Sequence, residues 1–269
     1  MNNSTHKIAA IQMISTPLVA DNIAAARRLV AQAAQQGATL VLLPEYWSIM
    51  GMDDSDKVAH AELPGAGPMQ DAMAEMARSH RLWLIGGTLP LVAPEPGKVL
   101  NTTLVYNPQG ECVSHYDKIH LFGFTKGDES YDEARTIVRG NDVVTFDAPF
   151  GRVGLSICYD LRFPELYRAM GECALIVVPA AFTYTTGHAH WEILLRARAI
   201  ENQCYVLASG QGGKHVNGRR TWGHSMLIDP WGEVKAVLAE GEGVVLGDIE
   251  PEHLAQVREN LPALKHRKL

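Results

Sequence analysis

The sequence predicts an α/β protein with the architecture of a four-layer αββα sandwich. Short apolar runs rich in Val, Ile and Leu alternate with longer, Ala-rich amphipathic stretches, which is typical of alternating strands and helices. Both halves of the chain combine these units with hairpins that turn on Pro and Gly. Two sheets packed face to face, with helices on their outer sides, accommodate both halves.

The first elements follow from the spacing of apolar residues. Residues 7–13 form a short apolar run and are expected to be a strand, whereas 22–36 carry apolar residues at helical spacing. The run 39–44 is apolar throughout, as a buried strand would be. A second helix is expected at 68–80 and a further strand at 82–89.

Hairpins then alternate with βα units. The turns Asn107-Pro108-Gln109-Gly110, Ala148-Pro149-Phe150-Gly151 and Asp229-Pro230-Trp231-Gly232 predict hairpins. Their strands are expected at 101–107 with 111–117, 143–146 with 152–157, and 225–228 with 234–238. The other expected elements are helices at 164–170 and 190–202 and strands at 174–179, 205–209 and 244–249.

Composition indicates one soluble domain. The chain has 269 residues, of which 46% are hydrophobic and 20% charged, so disordered and fibrous classes are excluded. No Ser-, Gly- or Pro-rich linker interrupts the pattern. We therefore expect a single domain over residues 1–269, with its core at about 7–261.

Charge and targeting signals favour a cytoplasmic protein. A net charge of −6 argues against nucleic acid as a partner, because phosphate binding needs clustered Lys and Arg. Neither a signal peptide nor an apolar run long enough for a membrane span occurs. The four cysteines lack CxxC spacing, so neither disulfide staples nor a cysteine metal site is expected.

Three candidate functional residues lie at predicted strand ends. Cys158 follows an apolar run and precedes a helix, an arrangement that presents a thiol and backbone amides to one space. Glu45 ends an apolar, buried strand, at the position where ligands bind in α/β sheets. Lys118 ends a hairpin strand and could stabilise an anionic oxygen. Each has an ordinary alternative: a buried structural thiol, a solvated strand end and a surface lysine.

Three blocks of sequence resemble the signatures of the nitrilase superfamily of carbon–nitrogen hydrolases. They are Leu43-Pro44-Glu45, Tyr116-Asp117-Lys118-Ile119-His120-Leu121-Phe122 and Gly154-Leu155-Ser156-Ile157-Cys158-Tyr159-Asp160-Leu161-Arg162-Phe163-Pro164-Glu165. The resemblance covers nearly the whole chain. It implies the nitrilase-type αββα sandwich and pairing of chains into a homodimer or a larger homo-oligomer.

The resemblance also implies a catalytic triad of Glu45, Lys118 and Cys158. Such a triad hydrolyses a carbon–nitrogen bond through a covalent thioester, with the oxyanion held by Lys118 and the backbone N–H of Tyr159. The resemblance implies neither a metal nor an organic cofactor.

Many members of the superfamily use a second glutamate after the lysine. Glu129 and Glu133 compete for that role. The family pattern runs from an aromatic residue through one residue to the glutamate and then to a glycine seven positions on. Tyr131 and Gly140 fit this pattern around Glu133, which is therefore preferred, although the loop is one residue shorter than usual.

The segment 181–192 resembles the ω-amidases and the deaminated-glutathione amidases, and residues 194–206 and 223–232 favour the second branch. Both branches imply hydrolysis of the primary amide of a small keto-acid amide to a carboxylate and ammonia. Deaminated glutathione is the expected substrate, and α-ketoglutaramate or α-ketosuccinamate is the alternative. One departure is His188, where both branches usually carry proline.

By the same resemblance, Arg162 and Thr186 hold the carboxylate end of the substrate, and Phe182 lines the pocket. Arg162 offers a bidentate fork to a carboxylate, but it could instead pair with Asp160 or Glu165. Phe182 could simply be a core residue.

Other classes of function have less support. The sequence has no H-E-x-x-H, G-x-S-x-G or nucleotide-binding glycine motif, which argues against a zinc protease, a serine hydrolase and a nucleotide enzyme. An N-carbamoyl hydrolase, a true nitrilase and a non-catalytic binding homologue remain as rivals.

Overall fold

A computed structural model describes residues 5–127 and 129–268. The strands of the described chain are β1 (His6–Gln12), β2 (Leu40–Leu42), β3 (Trp83–Ile85), β4 (Leu89–Val92), β5 (Val99–Tyr106), β6 (Cys112–Asp117), β7 (Gly123–Lys126), β8 (Glu129–Asp132), β9 (Ile137–Val138), β10 (Thr145–Ala148), β11 (Gly151–Leu155), β12 (Leu175–Ala180), β13 (Tyr205–Gly210), β14 (Ser225–Ile228), β15 (Val234–Leu238) and β16 (Gly243–Ile249). The α-helices are α1 (Val19–Gln35), α2 (Asp56–Ala59), α3 (Pro68–His80), α4 (Pro164–Ala169), α5 (Tyr184–Asn202), α6 (Pro251–Asn260) and α7 (Ala263–His266). Two short 3₁₀ turns cover Glu133–Arg135 and Cys158–Arg162.

The strands form two large sheets and one small hairpin. The first sheet has the order β16-β1-β2-β3-β5-β4, and β6 and β9 also pair with β5. The second has the order β10-β11-β12-β13-β14-β15, and β7 pairs with β8 separately. Strands β1, β2 and β3 are mutually parallel, as are β11, β12 and β13. The parallel centre of each sheet therefore comes from βα units, and hairpins supply the flanks except where β16 pairs antiparallel with the distant β1.

The two sheets pack on each other, because alternate residues of each strand point to opposite faces. On β1, Ile8 and Ala10 belong to a core shared with Leu207 of the second sheet. Ala9 and Ile11 belong instead to a core that includes residues of α1 and α3. Trp191 of α5 lies in the core of the second sheet. The layers are helix, sheet, sheet and helix, which confirms the predicted αββα sandwich.

Most predicted elements are present, with two informative differences. Helix α3 and the hairpin of β14 and β15 have the predicted bounds. The strand expected at 82–89 ends at Ile85 in β3, because Gly87 adopts a φ of +47°, and β4 runs from Leu89 to Val92 beyond the predicted strand. Helix α5 begins at Tyr184, not at residue 190, because Thr183 caps it by accepting a hydrogen bond from the Thr186 N–H.

Several elements have no counterpart in the sequence predictions. These are α2, α6, α7 and strands β7, β8 and β9. All are short or polar, and their apolar periodicity is too weak to predict them. Within the described residues, no helix has the length and hydropathy needed to cross a membrane.

Candidate active site

The three strand-end residues meet where the parallel strands of both sheets end. Lys118 Nζ donates to Glu45 Oε1 at 2.8 Å. Cys158 lies beside this pair, since it lines the same cleft as Glu45 and its thiol is close enough to interact with the charges of Glu45 and Lys118. Lys118, Glu45 and Cys158 are 0%, 1% and 7% exposed, respectively. The structure therefore brings the predicted triad into one buried cluster.

Both oxygens of Glu45 have fixed donors. Asn101 Nδ2 donates to Oε1 at 3.0 Å, and the Ala181 N–H at the end of β12 donates to Oε2 at 2.8 Å. Gln211 Nε2 holds the Glu45 carbonyl at 3.0 Å. Donors from both sheets thus fix this carboxylate, so its orientation depends on how the sheets are packed.

Glu133 lies on the other side of Lys118. Lys118 Nζ donates to both of its carboxylate oxygens, at 2.9 and 2.8 Å. The Tyr46 hydroxyl donates to Oε1 at 2.8 Å, and the Phe122 N–H donates to Oε2 at 2.8 Å. The structure thus places Glu133 against the lysine. Glu129 is the first residue of β8, and its side chain is outside the described part of the structure.

The cluster shifts the protonation of its members. Burial alone would lower the pKa of Lys118, but Glu133 and Glu45 outweigh it and hold that pKa well above its ordinary value. Burial likewise would raise the pKa of Glu133, yet Lys118 and the donors around it hold that pKa below the ordinary value. Burial and the Glu45 carboxylate raise the pKa of the Cys158 thiol well above normal. At neutral pH the cluster therefore holds an ammonium, an anionic Glu133 and a neutral thiol.

The backbone is strained at two site residues. Cys158 has φ +47° and Tyr46 has φ +55°, both in the left-handed region that non-glycine residues rarely adopt. Such conformations persist only when their surroundings enforce them. The Tyr46 N–H is held by Thr88 Oγ1 at 2.9 Å. The strain at Cys158 turns its side chain out of the strand direction and toward the cleft.

Asp160 braces the turn that carries Cys158. This buried carboxylate accepts from the Tyr116 hydroxyl at 2.7 Å and from the N–H groups of His120 and Ile157 at 3.0 and 2.9 Å. It therefore ties the cysteine turn to the segment that carries Lys118. Sequence reasoning missed this role, although Tyr116, His120 and Asp160 all lie within the quoted blocks. It also missed Tyr46 and Asn101, for which no local signal exists.

An open cleft with about 680 Å³ of empty space leads to Cys158. Arg162, Phe182 and Thr186 line it together with Tyr159, which directly follows the cysteine. The Arg162 guanidinium lies 5.2 Å from the centre of the Phe182 ring and 3.2 Å from His190 Nδ1.

The alternatives given for Arg162, an ion pair, and for Phe182, a core position, have different outcomes in the structure. Among the described residues, neither Asp160 nor Glu165 forms an ion pair with Arg162. Phe182 is 5% exposed and packs on Trp191, so it belongs to the core as well as to the cleft wall. Thr186 lies in the first turn of α5, and its hydroxyl is 2.7 Å from that of Thr183.

His188 does not line the cleft. It lies exposed on α5, with its ring 5.4 Å from that of Trp222. The segment 181–192 is helical from Tyr184 onward, and the departure from proline lies on the exposed side of that helix. Over residues 5–127 and 129–268, no group of three or more His, Cys, Asp and Glu side chains is arranged to hold a metal ion.

Comparison with known proteins identifies the family. The sequence model of the carbon–nitrogen hydrolases matches residues 7–259. The chain belongs to the carbon–nitrogen hydrolase family. This confirms the resemblance drawn from the three blocks.

Relatives of this carbon–nitrogen hydrolase match it over almost their full length. It is 42% identical to the deaminated glutathione amidase of Synechocystis, covering 96% of this chain and 97% of the relative. It is 37% identical to the human omega-amidase NIT2, covering 98% and 96%, respectively. Both relatives are named as amidases. Their sequence identities to this chain are too similar to decide between the two activities.

Solved structures share the fold of this carbon–nitrogen hydrolase. The NitFhit protein of C. elegans superposes with a TM-score of 0.90 at 37% identity, covering 100% of this chain and 66% of that longer one. Nit3 of Saccharomyces cerevisiae, a member of branch 10 of the nitrilase superfamily, gives a TM-score of 0.87 at 28% identity, covering 98% and 97%.

Proposed function

We propose that this carbon–nitrogen hydrolase is a thiol amidase that cleaves the amide of deaminated glutathione, with Cys158 as nucleophile. The observation that carries the proposal is the buried cluster at the floor of the cleft, in which Cys158 lies beside Glu45 and Lys118 joins Glu45 to Glu133. The relatives named for this activity, at 42% and 39% identity, support the choice of substrate.

Glu45 acts as general base and then as general acid. Since the resting thiol is neutral, Glu45 accepts the Cys158 proton as the sulfur attacks the amide carbon. The positive charge of Lys118 and the Tyr159 backbone N–H stabilise the oxyanion, and one hydrogen-bond donor contributes about 3 kcal/mol in comparable sites. Glu45 gives its proton to the departing amine and leaves a thioester. Water then passes a proton to Glu45 and its hydroxide to the acyl carbon, and Glu45 returns the proton to the released sulfur.

Glu133 positions Lys118 and keeps it charged. Its two oxygens and that of Glu45 take three hydrogen bonds from the ammonium, which leaves Lys118 little freedom to move. A fixed ammonium in a buried site stabilises a developing oxyanion without reorganising during the reaction.

The chemistry of the substrate corrects the expected leaving group. In glutathione the γ-carboxyl group is joined to the amine of cysteine, so deaminated glutathione releases cysteinylglycine and α-ketoglutarate. Release of ammonia applies only to primary amides such as α-ketoglutaramate. The keto-acid carboxylate is matched by the Arg162 fork, with Phe182 and Thr186 beside it in the cleft wall.

The second candidate is an ω-amidase that acts on α-ketoglutaramate or α-ketosuccinamate. The relatives at 37% identity that carry this name favour it. N-carbamoyl hydrolysis, nitrile hydrolysis and non-catalytic binding have no comparable support among those relatives.

Both substrates yield α-ketoglutarate, so its release is the common assay. We expect a higher kcat/KM on deaminated glutathione than on α-ketoglutaramate, and Cys158→Ala to reduce kcat at least about 10⁴-fold on both. A folded Cys158→Ala protein with unchanged activity would refute the thiol mechanism. A higher kcat/KM on the short amide would replace the first candidate with the second.

The organisation of the protein is also proposed. We infer one domain over residues 1–269, a homodimer or a larger homo-oligomer, and a cytoplasmic location, on the strength of the family resemblance and the uninterrupted sequence pattern. Light scattering should give a mass of twice 29.4 kDa or a larger multiple of it. A mass equal to that of one chain would contradict the proposed oligomer.

A further inference from the structure

The outer part of the cleft holds two cationic side chains that the proposed mechanism does not use. They are Lys57, in α2, and Arg219, in the segment before β14. Both also line a second depression with about 780 Å³ of empty space, which is continuous with the cleft through Tyr46 and Tyr131. We call this place, defined by Lys57 and Arg219, the outer subsite.

Lys57 is largely buried and poorly paired. Its side chain is 12% exposed, and its Nζ lies 5.6 Å from the centre of the Tyr46 ring. Its ion-pair partner is Asp54, at 3.4 Å, whose own side chain is 45% exposed. Burial lowers the pKa of Lys57 despite this aspartate, so the ammonium has lost more solvation than Asp54 replaces.

Arg219 is fixed in place but has no acidic partner. Its guanidinium lies 4.9 Å from the centre of the Tyr131 ring, and the backbone N–H of Arg219 donates to Asn217 Oδ1 at 3.0 Å. No Asp or Glu in the described chain forms an ion pair with it. The next residue, Arg220, differs in that it is paired with Glu240 at 2.8 Å.

The two charges act on each other. Lys57 and Arg219 line the same cleft and the same depression, and Arg219 contributes to lowering the pKa of Lys57, so the two positive charges repel each other. The acids that line the cleft and the depression with them are Glu45, Asp53, Asp54, Asp132 and Glu133, and two of these, Glu45 and Glu133, are already bound to Lys118. An anion between Lys57 and Arg219 would relieve this repulsion and restore some of the lost solvation.

Arg162 and the outer subsite thus provide two separate cationic places in one cleft with Cys158. A short keto-acid amide has one carboxylate, which Arg162 can bind. A keto-acid amide of a peptide has a second carboxylate, at the end of its leaving group. That second carboxylate is complementary in charge to the outer subsite, where Arg219 has no acidic partner among the described residues.

We propose that Lys57 and Arg219 bind the terminal carboxylate of the leaving group, so that the enzyme selects amides formed with a peptide over primary amides. The inference rests on the proposed amidase function and deepens it. It makes Arg219 a specificity-determining residue, because this guanidinium contacts the leaving group and not the reacting carbon.

Three substrates test the proposal: deaminated glutathione, the same molecule with its terminal carboxylate converted to an amide, and α-ketoglutaramate. For Arg219→Gln we expect kcat/KM on deaminated glutathione to fall roughly 10- to 100-fold, the range for a hydrogen-bonded charged group. On the other two substrates it should change less than about 2-fold. Lys214→Gln is the matched control, since it removes an exposed charge from the same segment outside the cleft, and we expect no change on any substrate.

Equal losses on the free and the amidated peptide substrate in Arg219→Gln would overturn the inference. So would a wild-type enzyme that does not distinguish those two substrates. Either result leaves the amidase function standing, because α-ketoglutaramate turnover reports the triad alone. Failure of the wild-type enzyme to hydrolyse all three would refute the proposed function and the inference together.

Discussion

At the scale of single residues, Lys118 is the most consequential charge in the molecule. It is fully buried, and the carboxylates of Glu45 and Glu133 balance its positive charge. Lys118→Met keeps the volume of the side chain but leaves two buried carboxylates without a counter-charge. We expect it to lower the free energy of unfolding by about 3–5 kcal/mol, measured by urea titration at pH 7.

A surface ion pair provides the control for Lys118→Met. Lys7 bonds Asp248 at 3.0 Å, with both side chains 39% exposed. Lys7→Met should cost less than about 1 kcal/mol because solvent screens that pair. Similar costs for the two substitutions would show that the site is hydrated and that the buried cluster does not depend on its lysine.

Protonation of Glu133 should limit stability in acid. Because its pKa is lowered in the folded state, the unfolded chain takes up this proton first as the pH falls. Its contribution to stability is therefore complete above the ordinary carboxyl range and is lost as the pH falls toward the folded-state pKa. Glu133→Gln should flatten the decline of the urea midpoint across that acid range.

An exposed acid serves as the comparison for Glu133. Glu259 lies on the exposed side of α6, and Glu259→Gln should leave the acid decline as it is in the wild type. An unchanged slope in Glu133→Gln would mean that this carboxylate is not the group responsible.

How much of the site could be predicted depends on how far each interaction reaches along the chain. Glu45, Lys118 and Cys158 each follow a recognisable strand, so local sequence identifies them. Asn101 and Tyr46 act through hydrogen bonds to residues 56 and 87 positions away, and nothing near them in sequence indicates it. Their roles are visible only after the fold has brought the partners together.

At the scale of elements, the link between β3 and β4 controls the end of β2. A Cβ added to Gly87 would lie 1.9 Å from the Pro44 carbonyl oxygen, directly before Glu45. Gly87→Ala should therefore displace this strand end, lowering both stability and amidase activity. Thermal unfolding and the rate of α-ketoglutarate release measure the two effects.

Gly97 separates the steric effect from the backbone effect. It has φ +76°, and a Cβ there would meet nothing within 4 Å. Gly97→Ala should cost only the left-handed conformation, about 1–2 kcal/mol, and leave activity unchanged. If Gly97→Ala lost as much activity as Gly87→Ala, the contact with Pro44 could not be the cause of the activity loss in Gly87→Ala.

Helix α5 shows why element boundaries were harder to predict than element types. Its first turns contain Thr185, Thr186 and Gly187, which favour helix weakly. Tertiary contacts override this, since a Cβ on Gly187 would lie only 2.3 Å from Trp222 Cβ. The helix begins early because the glycine allows this close packing and Thr183 caps the end, and neither effect shows in apolar periodicity.

At the scale of the whole molecule, the active site requires both sheets. Glu45 follows a strand of the first sheet, yet it is held by Ala181 and Gln211, which follow strands of the second. The core between the sheets contains residues of both, including Ile8 and Leu207. A chain organised in this way should unfold as one unit.

Leu207→Ala tests this unity. The side chain is 0% exposed, so its truncation should cost about 2–5 kcal/mol. In hydrogen exchange at increasing urea, β1 and β12 should lose protection at the same urea concentration, and this concentration should be lower than in the wild type. This should hold for β1 although the substitution lies in the second sheet. Val216→Ala, at a side chain 68% exposed, should shift neither. If β1 kept its wild-type midpoint while β12 lost protection early, the sheets would be separate cooperative units, and the proposal of one domain would be wrong.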